Sequence, residues 1–143
     1  RAYLLVVSAA AGATSLLSHA IATALNVPRP FMAGFGPAYI EHASRGSLPS
    51  THAAVMFMVA LAFLLRPGLR RIGVPLLALA ALTGWARVYV GVHFPVDIVA
   101  GLLLGAVVAG AIAIARWLFL FFVPRTGRAP GDSPATSSLW RPS

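Results

Sequence analysis

Residues 95–122 read PVDIVAGLLLGAVVAGAIAIARWLFLFF, and this stretch decides the class of fold. Its formal charges are Asp97 near the start and Arg116 near the end. The apolar run exceeds the roughly 20 residues that a helix needs to cross the hydrocarbon core of a bilayer. Pro95 suits a first helical turn, where a missing N–H costs nothing. Gly101 and Gly105 form a GxxxG that Ala109 continues, a spacing that lets a second helix approach closely.

Working outward, three more apolar runs come into view. No formal charge lies between Arg1 and Arg29, so Ala2 to Leu25 is long enough for one membrane helix. A shorter run from Ala53 to Leu65, starting near Ser50 and stopped by Arg66-Pro67-Gly68, makes a helix that barely crosses the core. A third helix is expected from about Ile72 to Val90, with Arg87 near its end, followed by the link Gly91-Val92-His93-Phe94. Asn26, Pro28, Pro30, Gly34, Gly36, Pro37 and Gly46 make residues 26–48 a loop. Residues 124–143, with four prolines, are expected to be a flexible tail. The expected fold is therefore all-α: an integral-membrane bundle of four transmembrane helices within residues 1–123.

Composition agrees. The chain has 143 residues, 59% apolar and 10% charged, against about 25% charged in soluble domains. Mean hydropathy is +0.84. These values exclude a disordered chain, an ordinary cytosolic globule and a nucleic-acid-binding module. The net charge of +8 comes from arginines set singly or in pairs between apolar stretches, which suits membrane flanks and an anionic ligand. The absence of cysteine excludes disulfides and thiolate chemistry.

Alternation of four helices sends Arg1, Arg66, Arg70, Arg71, Arg125 and Arg128 to one side. Arg29, Arg45 and Arg87 go to the other. The positive-inside rule assigns the first side to the cytoplasm. The outer arginines then need another reason. They share their face with Ser50, Thr51 and His52, and with His93 and Asp97. Guanidiniums pair with the oxygens of a phosphate. The helix start at Ser50-Thr51 offers backbone N–H groups and a positive dipole end. Asp97, four residues after His93, can hold one ring nitrogen and aim the other at phosphorus. His52 can protonate a leaving oxygen.

Taken together, Arg29-Pro30, Pro49-Ser50-Thr51-His52 and the run Arg87 to His93 to Asp97 resemble the three signature motifs of the type-2 phosphatidic acid phosphatase superfamily. The resemblance covers roughly residues 22–110. The segment from Arg29 to Gly36, with His42 and Ser47-Leu48-Pro49-Ser50, is most similar to the bacitracin-resistance type of undecaprenyl-diphosphate phosphatases. The resemblance implies a metal-independent, cofactor-free membrane phosphatase working through a phosphohistidine. His93 would be the nucleophile, Asp97 its orienter and His52 the general acid, with Arg29, Arg87, Ser50 and Thr51 holding the phosphate. The family's first motif begins with a lysine seven residues before the arginine. That position here is Ala22, so one cation is absent or is replaced by another such as Arg45. Ala86 stands where the third motif often has serine. The family's usual six helices, and a first residue that is arginine, lead to the expectation that two earlier helices lie outside this sequence.

The leading expectation is hydrolysis of undecaprenyl diphosphate at the outer face of the bacterial plasma membrane. Phosphatidic acid, phosphatidylglycerophosphate and lipid A phosphates stay open as substrates, as does transfer of the phosphate to an alcohol. The competing class is a membrane protein without catalysis that binds lipid headgroups or acts as a scaffold. Ala22 favours it; the set of His52, His93 and Asp97 counts against it. A divalent-metal hydrolase fits poorly, since the outer face carries three arginines and only Glu41 and Asp97 as carboxylates. No nucleic-acid partner is expected, and the oligomeric state is left open.

Overall fold

The computed structural model describes residues 1–40 and 46–123. Its regular structure is helical: α1 (Ala2–Leu25), α2 (Thr51–Leu64), α3 (Arg70–Tyr89) and α4 (Pro95–Phe122), with a short 3-10 turn at Pro67–Leu69 ahead of α3. The expected bundle and helix order are observed. The expected tail lies outside the described residues.

By length and composition, Ala2–Leu25, Pro67–Tyr89 and Pro95–Phe122 can cross a membrane. The fourth apolar helix, α2, has 14 residues, or about 21 Å. That falls short of a bilayer core of about 30 Å, and the arrangement explains how so short a helix is accommodated. α2 runs through the middle of the bundle and touches α1, α3 and α4. Its Ala54, Met58 and Ala60 have no exposed surface. Outward faces elsewhere carry exposed Leu5, Leu16, Val107 and Phe121, as helices solvated by lipid would.

The small-residue stripe of α4 sets the packing. A Cβ on Gly101 would stand 2.8 Å from the Ser50 carbonyl oxygen, and one on Gly105 only 2.6 Å from that of Ala54. Glycine at both positions lets the two backbones meet, and Ala109 joins Val7, Met58 and Ala62 in a buried cluster lower down. Where α4 and α2 touch at their upper ends, the Ser50 N–H donates to the Asp97 carbonyl at 3.0 Å. The start of α2 is thus fixed against the first turn of α4.

Two hydrogen bonds give the register of α1 on α2. The Tyr3 hydroxyl donates to the Ala62 carbonyl at 2.6 Å, and the hydroxyls of Ser18 and Thr51 lie 2.9 Å apart. α2 is therefore matched to Tyr3 through Ser18, and the stretch of α1 from His19 to Leu25 rises past it by about 10 Å. The start of α2 is recessed below the end of its neighbour. α1 stops at Asn26, whose left-handed φ of 46° makes a C-cap bonded to Ala22. The basic end is at the opposite pole: the Arg66 guanidinium stacks 4.1 Å over the Tyr3 ring, and Arg70 Nε donates to the Leu64 carbonyl at 3.3 Å.

Candidate active site

The site lies at the recessed start of α2. Three chain segments meet there: the loop after α1, the Ser50 cap, and the turn between α3 and α4. That turn depends on Gly91, whose φ is +77° and whose Cβ would press on the Pro37 carbonyl at 2.9 Å. Tyr39 N–H donates to the Val90 carbonyl at 3.1 Å, which closes the loop over the turn. The next residues, Val92 and His93, are 0% and 3% exposed.

His93 is held at both ring nitrogens. Asp97 Oδ2 lies 3.3 Å from Nδ1, and Arg29 Nη1 lies 3.3 Å from Nε2. A guanidinium only donates and a carboxylate only accepts, so the proton is assigned to Nδ1 and the lone pair to Nε2. Asp97 is itself immobilised. It is fully buried, and Oδ2 also accepts the Phe94 N–H at 2.8 Å, the reach-back half of a helix capping box. Burial, chiefly, and the charges of Arg29 and Arg87 hold the His93 imidazole below its ordinary pKa, against the opposing hydrogen bond from Asp97. At neutral pH the ring is an uncharged imidazole with a lone pair, the state a nucleophile needs.

Arg29 is 6% exposed. Its guanidinium donates to the Val92 carbonyl at 2.9 Å and the Gly46 carbonyl at 3.4 Å as well as to His93. Burial lowers its pKa and the positive charge of Arg87 lowers it further, with Asp97 opposing. Two guanidiniums that bear on each other suit an anion between them. Arg87 sits in the last turn of α3, where a cation suits the helix dipole. Ser50 adds a neutral donor: it is fully buried, and its Oγ has no hydrogen-bond partner. A buried hydroxyl without a protein partner can donate to a ligand oxygen.

His52 is exposed, one turn-step beyond Thr51 at the start of α2. Arg87, His93, Arg29 and His19 are the charged or titratable groups that bear on it. The structure thus gathers Arg29, Ser50, His52, Arg87, His93 and Asp97 at one end of the bundle. Thr51 differs from expectation in detail. Its hydroxyl is tied to Ser18, so toward the site it offers its backbone N–H. Arg45, with Glu41 and His42, lies outside the described residues. Ala22 is 8% exposed and packs under Gly46, where a Cβ would clash with the Ala22 carbonyl. His19, which follows Ser18 on α1, is among the groups that bear on His52, a relation that no sequence spacing reveals.

The sequence profile described as the PAP2 superfamily matches residues 2–121. Undecaprenyl-diphosphatase BcrC of Bacillus subtilis (strain 168) is 40% identical over 95 residues, which is 66% of this chain and 44% of that protein. YbjG of Escherichia coli (strain K12) is 44% identical over 79 residues, 55% of this chain and 39% of that protein. Among solved structures, a transmembrane PAP2-type phosphatidylglycerolphosphate phosphatase from Bacillus subtilis aligns with a TM-score of 0.61 and 25% identity, over 86% of this chain and 61% of that one. The chain spans about two fifths of the length of these two curated relatives.

Proposed function

Because the chain belongs to the PAP2 superfamily and is a multi-pass membrane protein, we propose that it carries the catalytic site of a lipid phosphatase. The substrate proposed is a lipid diphosphate, undecaprenyl diphosphate first, by likeness to BcrC. The observation that carries the reading is the double clamp on His93, with Asp97 on Nδ1 and Arg29 on Nε2. A headgroup-binding protein needs cations, but it has no use for an oriented imidazole of lowered basicity.

The proposed mechanism draws on this geometry. The terminal phosphate enters between Arg29 and Arg87 and takes a hydrogen bond from the Ser50 hydroxyl. A phosphate oxygen then accepts the N–H that Arg29 gives to His93, which frees the Nε2 lone pair. Nε2 attacks phosphorus and forms an N–P bond as the P–O bond to the lipid phosphate breaks. His52 gives its proton to the departing oxygen. Asp97 accepts the Nδ1 proton's hydrogen bond throughout and stabilises the cationic ring. In the second half, His52 removes a proton from water, the oxygen attacks phosphorus, the N–P bond breaks, and inorganic phosphate leaves. Guanidiniums neutralise the phosphate here, so the reaction is proposed to need no divalent metal.

The residues of this site line the end opposite Arg66 and Arg70. With the basic end in the cytoplasm, the site is proposed to face the outside of a bacterial plasma membrane. A second substrate class, lipid monophosphates such as phosphatidylglycerophosphate, is favoured by the likeness to the solved phosphatase. The test is phosphate release by the full-length protein in nanodiscs, from undecaprenyl diphosphate and from phosphatidylglycerophosphate, for wild type and His93→Ala. Release that His93→Ala abolishes supports the reading. Headgroup binding without release by wild type overturns it.

A further inference from the structure

We infer that His19, on α1, forms with His52 a second anion subsite that takes the phosphate leaving with the lipid, and so selects diphosphates over monophosphates. The inference rests on the lipid-phosphatase reading for its substrate, but its evidence is separate. Ser18 and Thr51 are joined through their hydroxyls at 2.9 Å. The residues that follow each of them are His19 and His52. Both histidines are exposed, and His19 is among the groups whose charge bears on His52. The His19 ring is fixed on its own helix, because Nδ1 donates to the Ser15 carbonyl at 2.9 Å. Nε2 is then the ring nitrogen not committed to α1.

The order of groups gives the subsite its role. Asp97 and His93 are 0% and 3% exposed and form the inner wall. The attacked phosphorus lies against His93, between Arg29 and Arg87. His52, which serves the departing oxygen, is exposed where His93 is buried, and His19 follows Ser18 at the level of the start of α2. A monophosphate ends at the departing oxygen. A diphosphate continues into a second charged phosphate, and His19 can donate from Nε2 to one of its oxygens when both ring nitrogens carry a proton. This contact is available only to the longer headgroup, so it separates the two substrate classes.

The experiment uses the full-length protein in nanodiscs and two substrates with one tail, farnesyl diphosphate and farnesyl monophosphate. His19→Ala and His19→Leu should lower kcat/KM for the diphosphate by roughly 10- to 100-fold, the range for a hydrogen bond to a charged group. The monophosphate should change by less than about twofold on the same basis. His19→Arg, which supplies a cation, should recover the diphosphate. Equal losses on both substrates would mean a structural role, and no loss would mean no contact; either result overturns the subsite. Binding gives a readout independent of turnover. On a His93→Ala background, calorimetry with farnesyl methylenediphosphonate should show an affinity that His19→Ala removes, while farnesyl phosphonate binds both proteins alike. If wild type binds the bisphosphonate through His19 but hydrolyses neither lipid, the hydrolase reading fails and the subsite stands. If it hydrolyses the lipids and His19 changes nothing, the reverse holds.

Discussion

Arg29 Nη1 lies 3.3 Å from His93 Nε2, so the guanidinium covers the lone pair that the proposed chemistry requires. The same guanidinium is one of the two proposed to receive the phosphate. Substrate binding and nucleophile release then become one event: a phosphate oxygen draws the N–H away from the ring. A site arranged this way keeps His93 uncharged and shielded from adventitious electrophiles until an anion is present.

That arrangement predicts how His93 titrates. Burial, together with the charges of Arg29 and Arg87, lowers its pKa, and the Asp97 hydrogen bond raises it. The nucleophile must be deprotonated, so the acid limb of kcat/KM should lie below about pH 6.5, the free histidine value. Asp97→Asn removes a raising influence and should move the His93 titration to lower pH. Arg29→Gln removes a lowering influence and should move it to higher pH. Titration of carbon-13-labelled histidine in full-length protein reads both shifts without requiring activity. Shifts of the opposite sign would mean that the clamp is not as drawn.

Charge neutralisation by arginine predicts indifference to chelators. Phosphate release should persist in excess EDTA, and vanadate, which mimics five-coordinate phosphorus bound to a histidine, should inhibit. Activity lost in EDTA and restored by magnesium would reassign the mechanism.

Packing predicts an asymmetry between two glycines of α4. At Gly105 a Cβ would meet the Ala54 carbonyl at 2.6 Å and the Met58 nitrogen at 2.7 Å, whereas at Gly110 it meets nothing within 4 Å. Gly105→Ala should destabilise by about 1–3 kcal/mol through overpacking and reduce activity, because α4 also carries Asp97. Gly110→Ala should be neutral, or stabilising by up to about 1 kcal/mol, from helix propensity. Thermal unfolding in detergent compares them.

Much of this was legible because membrane helices announce themselves by length. Pro95–Phe122 and Ala2–Leu25 needed only an apolar count, and the Gly101–Gly105 spacing already implied a close neighbour. What the sequence withheld was depth. Nothing in the run from Ala53 to Leu65 says that α2 begins about 10 Å below the end of α1; that follows from the Ser18–Thr51 hydrogen bond. For the same reason Thr51 was read as a phosphate ligand, although its hydroxyl faces α1. The polarity of the His93 clamp was half legible: His93 and Asp97 are four apart, but Arg29 is 64 residues away and reaches Nε2 only through the fold.

The arginine distribution predicts sidedness. The chain has no cysteine, so single cysteines report cleanly. Tyr39 is 75% exposed at the site end, and Gly68, at the basic end, has open space for a side chain. In intact cells Tyr39→Cys should react with an impermeant maleimide and Gly68→Cys should not. The reverse pattern would put the site in the cytoplasm and direct it at inner-leaflet lipids.

His52 and His93 should fail in different ways, and the difference tests their roles. His93→Ala removes the atom that bonds to phosphorus, so activity on every substrate should fall to background and no phosphoenzyme should form. His52→Ala removes only a proton donor. Its cost depends on how much the leaving oxygen needs that proton. A lipid alkoxide, or a lipid phosphate leaving poorly, needs it; nitrophenolate, far less basic, needs it much less. General acid catalysis contributes about 10²- to 10⁴-fold, so His52→Ala should lose about that much on a natural lipid and appreciably less on p-nitrophenyl phosphate. If the second half-reaction is slowed as well, because His52 also activates water, labelled phosphate should accumulate on the His52→Ala protein when p-nitrophenyl phosphate is the donor. Trapping phosphorus-32 after a quench that avoids acid measures this directly. Label on His93→Ala, or equal losses for His52→Ala on both substrates, would exchange the assignments or remove them.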